Sequence, residues 1–202
     1  MTTVQTTEKP NLMFSHLGFT VSDLEKMEDF YTRILGFTVT DRGELAGMNL
    51  VFLSRDPMDH HQLVLVTGRP DTIPENPLNS AMGPFINQMS FRVGNLQDLR
   101  AIYAVLVEEE VKIDIIGSHG VSWSIYCRDP DGNMLELFVD TDWYFPQPYL
   151  LPLDLSKSDE EIFAETEAMC REQPGFEMYN DWRAKIAPEM HMYKKRYSPL
   201  SA

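Results

Sequence analysis

Glu136 stands between Leu135 and Leu137 in a run that reads as a strand. A carboxylate there is costly to bury without a metal ion or a cationic partner. His16 interrupts the alternating stretch Phe14-Ser15-His16-Leu17-Gly18-Phe19-Thr20-Val21, where it is either a hydrogen-bonded core histidine or a ligand. His60 and His61 precede another strand-like segment, and such a pair is either solvated or a source of imidazole donors. His119 follows a Gly117-Ser118 turn signal; a histidine titrates near neutrality, which suits it to carry protons. Tyr126 is either a packed ring with a satisfied hydroxyl or a donor to a reacting oxygen, and Gln88 offers an amide oxygen, a poorer ligand than imidazole. Histidine and carboxylate are the donor types of divalent-metal sites. The chemistry these residues admit is acid–base or metal-assisted work on a small molecule.

A duplication must position them. Residues 14–21 and 86–93 lie 72 apart, and both alternate apolar and polar side chains as half-buried strands do. Ser22 with Glu25 reads as a capping box, followed at helical spacing by Leu24, Met27, Phe30, Tyr31 and Ile34, with Gly36 as the stop. Leu96, Leu99, Ile102, Tyr103 and Leu106 repeat that stripe at the same offset, so Tyr31 and Tyr103 read as core residues. Further on, Phe52-Leu53-Ser54-Arg55-Asp56-Pro57 matches Ile125-Tyr126-Cys127-Arg128-Asp129-Pro130 at an offset of 73. Each Asp-Pro opens a turn into a last strand, Leu63–Val66 or Leu135–Val139. Each unit is therefore strand, helix and three strands, over about 12–68 and 84–140, with the proline-rich segment 69–85 as linker. Residues 141–202 form an extension with one or two helices, the first opened by a Ser158/Glu161 capping box and the second around Asn180–Ile186. The expected fold class is α+β.

Bulk properties narrow the function. A net charge of −14 argues against nucleic acid, and no stretch approaches the roughly 20 apolar residues that span a bilayer. The first dozen residues lack a secretory pattern, and Cys127 and Cys170 fit no CxxC motif, so free thiols in a reducing cytoplasm are expected.

A tandem βαβββ pair resembles the vicinal oxygen chelate superfamily, which includes glyoxalases, fosfomycin-resistance enzymes, methylmalonyl-CoA epimerases and extradiol dioxygenases. The resemblance covers residues 14–140 and implies a curved sheet with an open cup, and metal ligands on the first and last strands of the units. It directs attention to His16, the His60-His61 pair, Gln88 and Glu136. A narrower resemblance is to the extradiol ring-cleavage signature: Gly117-Ser118-His119, five residues, Ile125-Tyr126, two residues, Asp129-Pro130-Asp131-Gly132, three residues, Glu136.

What the resemblance implies is a divalent metal, Fe(II) for the extradiol members, held by His16 and Glu136, with a small aromatic diol and dioxygen as partners. Position 88 would be histidine in that pattern and is Gln88 here. His61 is the replacement to consider, because it shares strand parity with Leu63 and Leu65 while His60 points the other way. A strict shift of 73 places it opposite Met134, so matching Glu136 requires a shorter hairpin. His119 would move protons without binding metal, and Tyr126 would hydrogen-bond a substrate oxygen. The rival expectations are a glyoxalase- or epimerase-like enzyme using Zn, Ni, Co or Mn, and a metal-free protein that sequesters a ligand in the cup. A homo-oligomer is expected.

Overall fold

The computed structural model describes residues 13–70, 72 and 86–190, so the proposed linker lies mostly outside the described residues. The first unit runs β1 (Leu17–Val21), α1 (Leu24–Asp29), β2 (Thr38–Leu45), β3 (Met48–Ser54) and β4 (Leu63–Thr67). The second runs β5 (Met89–Arg92), α2 (Leu96–Glu108), β6 (Ile113–Ser118), β7 (Ser122–Arg128) and β8 (Met134–Asp140). After them come β9 (Trp143–Tyr144), β10 (Leu151–Pro152), α3 (Asp159–Arg171), β11 (Glu177–Met178) and α4 (Tyr179–Ile186). The unit sheets are ordered β1-β4-β3-β2 and β10-β6-β7-β8-β5, so each first strand lies parallel to its unit's last. The α+β class with paired βαβββ units is what the repeat predicts, and the helical extension follows them.

Strand alternation sorts the side chains. Leu53, Leu63 and Leu65 of the first unit, and Ile125, Leu135 and Leu137 of the second, are buried in one core with the helix stripes. Alternate positions face away from the helices, and there the two units differ. Phe52 is paired with Val64, and Tyr126 with Glu136. The equivalent of Tyr126 is thus Phe52, not Leu53, because the strand register departs by one residue from the match through the Asp-Pro turn. The second unit carries a hydroxyl and a carboxylate where the first carries two apolar side chains.

The first helix is capped differently from the sequence expectation. Asp23, not Ser22, is the N-cap, accepting from the Lys26 amide at 3.0 Å, and Asn95 caps α2 in the same way through Asp98 at 2.8 Å. Ser22 instead turns to the second unit, where its amide donates to Asp131 Oδ2 at 2.9 Å. From Phe30 to Ile34 the helix widens into a π turn that keeps Phe30, Tyr31 and Ile34 buried.

Tyr31 ties the units together. Its hydroxyl donates to Asp129 Oδ2 at 3.1 Å in the Asp129–Asn133 turn, and burial raises the Asp129 carboxyl above its usual range. Asp129 also accepts from the Asn133 side chain and from the Asp131 and Asn133 amides. Tyr31→Phe removes one donor from Asp129 and leaves Asn133 on the same oxygen, so the expected loss is that of one hydrogen bond, about 0.5–1.5 kcal/mol. Urea unfolding should show that loss, and an unchanged midpoint would mean the bond contributes nothing.

The extension is part of the core, and its sequence signals hold. Ser158 and Glu161 form the expected capping box of α3, and α4 falls where the shorter helix is predicted. Trp143, Phe145, Leu155, Ile162 and Cys170 are buried with the two units. Trp123 of β7 donates its indole N–H to Thr166 at 3.0 Å and meets the Phe163 ring edge-on at 4.8 Å.

Candidate functional site

Glu136 is the centre of a polar group on the open face of the second unit. It is 8% exposed, and register sets it between Ser90 of β5 and Tyr126 of β7. Its Oε1 accepts from the Ser124 hydroxyl at 2.9 Å and the Tyr126 hydroxyl at 2.9 Å. Its Oε2 accepts from the Gln88 amide at 2.8 Å and the Ser90 hydroxyl at 2.6 Å. Burial, with the neighbouring carboxylate, pushes the Tyr126 phenol well above its ordinary range, so its proton is held.

His119 joins this group from the β6–β7 hairpin. Its Nε2 is 2.8 Å from the Tyr126 hydroxyl and 3.8 Å from Glu136 Oε1, and its Nδ1 is 2.5 Å from the Tyr149 carbonyl. Tyr126 thus stands between an imidazole and a carboxylate, in a chain from the extension to the sheet. Gly117, on the same face, lies under Leu150, whose side chain would run into any Cβ at position 117. Ile115 and Leu150, 41% and 42% exposed, border the polar group with apolar surface.

The histidines of the first unit form a separate cluster. The rings of His16 and His61 lie 4.3 Å apart, and Phe52 meets His60 at 5.7 Å and His61 at 5.2 Å. Nδ1 of His60 and Nδ1 of His61 are 2.9 Å apart. The parity argument that set His60 aside therefore fails. Both residues precede β4 in an irregular turn, where strand alternation does not apply. Partial burial, reinforced by His16 and His60, lowers the His61 pKa, which favours its neutral, ligating form.

The sequence candidates thus fall into two groups: His16 with His61, and Gln88, His119 and Tyr126 around Glu136. Two imidazoles and a carboxylate are donor types that suit a divalent metal. Among the described residues, however, no three His, Cys, Asp or Glu side chains come together closely enough to hold one. Gln88 turns its amide N–H toward Glu136, so it acts here as a donor to the carboxylate. Ser90 and Ser124 escaped the sequence reading, which weighed His60 and set it aside on parity. The two serines become visible once register places them beside Glu136. Cys127 and Cys170 are buried free thiols, and burial pushes the Cys127 thiol up to about 12, away from reactivity.

The chain is similar to known proteins over about three fifths of its length. Biphenyl-2,3-diol 1,2-dioxygenase 2 of Rhodococcus globerulus is 31% identical over 128 residues, covering 63% of this chain and 62% of that protein. Catechol-2,3-dioxygenase of Bacillus subtilis is 28% identical, over 62% of this chain and 42% of the relative. The chain spans about three fifths of the length of the biphenyl-diol relatives it matches. A glyoxylase/bleomycin resistance protein/dioxygenase domain from Frankia sp. EAN1pec shares the fold, with a TM-score of 0.53 at 24% identity over 63% of this chain and 96% of that one. The family model described as the glyoxalase/bleomycin resistance protein/dioxygenase superfamily matches residues 13–137. The chain belongs to that superfamily.

Proposed function

We propose that the protein is an extradiol-type dioxygenase acting on a catechol-like aromatic diol with a divalent metal, Fe(II) in the first instance. The observation that carries this reading is the chain His119–Tyr126–Glu136, in which a buried carboxylate is joined through a phenol to an imidazole. The relatives named as biphenyl-2,3-diol and catechol dioxygenases support the substrate class. His16 and Glu136 would hold the metal, with His61 as the next donor and Gln88 orienting the carboxylate. A bound Fe(II) supplies open positions at which a diol and dioxygen can meet.

The protein's own groups do the rest. His119 Nε2 can take a proton from a diol hydroxyl and return it later, and Tyr126 passes hydrogen-bonding between that ring and Glu136. Ile115 and Leu150 offer an apolar border for the aromatic ring. His119→Ala should therefore keep the metal while lowering turnover about 10²–10⁴-fold, the usual contribution of a general acid–base group. Metal content and oxygen uptake with biphenyl-2,3-diol or catechol, read on the same sample, test this. Full metal with an unaltered rate would remove His119 from the mechanism.

One observation favours a second reading, a metal-free cup that binds its ligand by hydrogen bonds. Glu136 already accepts from four neutral donors. Protein purified anaerobically and found to contain no metal, with no catechol-dependent oxygen uptake, would select that reading.

A further inference from the structure

His119 does not sit in the site by the sheet alone. Its ring is held from outside by the segment between β9 and β10, which lies beyond the residues matched by the family model. The Tyr149 carbonyl is 2.5 Å from Nδ1, and a carbonyl can only accept. Two lone pairs facing each other at that distance would repel, so the proton must lie on Nδ1. In the neutral ring Nε2 then carries the lone pair, and Tyr126, 2.8 Å away, satisfies it by turning its single proton from Glu136 to the ring, while Glu136 keeps its bonds from Ser124, Gln88 and Ser90. Protonating Nε2 adds a second N–H and leaves the Nδ1 bond intact.

The carbonyl itself is braced. Gln147 accepts from the Tyr149 amide at 3.0 Å through Oε1, and its Nε2 donates to the His119 carbonyl at 2.9 Å and the Phe145 carbonyl at 3.3 Å. One amide side chain thus spans the backbone of His119 and the backbone that holds the His119 ring. Beyond it, Leu151 and Pro152 pair with Ser118 and Gly117 on the β6 edge, and the Leu153 amide donates to Ile116 at 3.0 Å. These contacts fix the segment on both sides of Tyr149.

We propose that this segment of the extension sets the tautomer of His119: the Tyr149 carbonyl selects Nδ1–H, which leaves Nε2 as the lone-pair nitrogen toward the site, and Gln147 is the positioning residue that keeps the carbonyl in place. The consequence for turnover rests on His119 carrying protons, as proposed above. The tautomer does not.

The test uses the full chain with 15N-labelled histidine, read by long-range proton–nitrogen correlation well above the usual histidine pKa. The His119 signals are those missing from His119→Gln. Wild-type protein should show His119 as the Nδ1–H tautomer, and an Nε2–H ring would overturn the proposal without any variant. Gln147→Leu should populate both tautomers and, if the dioxygenase reading holds, lower kcat with little change in KM. A folded Gln147→Leu protein that keeps a pure Nδ1–H signal would remove Gln147 from the proposal. If that variant does not fold, Gln147→Ala serves as the second trial, and the wild-type spectrum still decides the tautomer. Absence of catechol turnover with the Nδ1–H tautomer in place would count against the dioxygenase reading and leave this inference standing.

Discussion

A chain ended after Asp140 is expected to lose its stable fold. The cut removes Trp143, Phe145, Ile162 and Cys170, which are 4%, 2%, 1% and 0% exposed, and so opens the side of the core that they fill. Burying a large apolar side chain contributes about 1.5–3 kcal/mol. The sum over these residues and Leu155 approaches the whole margin of a typical domain, about 5–15 kcal/mol. The damage extends into the second unit. Trp123, 1% exposed, loses the Phe163 ring and the Thr166 hydroxyl that accepts from its indole N–H. Its ring and indole N–H then face water, so the burial that Trp123 contributes to the core is lost as well. Size-exclusion chromatography, dye binding to exposed apolar surface and thermal melting should report an aggregated or loosely packed fragment. A monodisperse fragment melting at the temperature of the full chain would show that the two units need no cover.

The core was legible because it repeats. Two helix stripes at one offset, each followed by β-like segments and an Asp-Pro turn, specify the topology almost completely, and Glu136 declares itself as a carboxylate in an apolar strand. His119 and Tyr126 meet it because hairpin spacing and strand alternation act over only a few residues. What failed was register. The turns between β3 and β4 and between β7 and β8 differ in length, and a slip of one residue reverses which side chains face the site. The turn match therefore aligns Tyr126 with Leu53, a core residue, whereas strand pairing makes Phe52 its equivalent in the first unit. The parity of His60 and His61 failed for a related reason, since strand alternation has no force in the turn they occupy. The hold on His119 was invisible for another reason: the acceptor is a backbone carbonyl, which every residue carries. Only the path of the extension decides that the one from Tyr149 arrives.

Removing the Glu136 carboxylate is expected to have the largest effect at the site itself. In Glu136→Gln the side chain keeps its shape but loses its charge, and one acceptor oxygen becomes a donor. The Ser124, Tyr126, Gln88 and Ser90 groups that now converge on two acceptor oxygens would then face an amide nitrogen on one side. If Glu136 is a metal ligand, affinity should fall by more than about the 10–100-fold that outer-shell partners of a metal contribute. His16→Ala should do the same from the other unit, because its imidazole would supply the opposing donor. Neither change opens a large cavity in the core, so the fold should survive both, and unfolding curves on the same preparations establish that point. Metal titration of the two variants and the double variant then separates the readings. Loss in both singles places the metal between the histidine cluster and the carboxylate, which requires the two groups to come closer than they stand among the described residues. A double variant that still binds one metal per chain would move the metal elsewhere and leave Glu136 as the anionic anchor of a hydrogen-bonded ligand site.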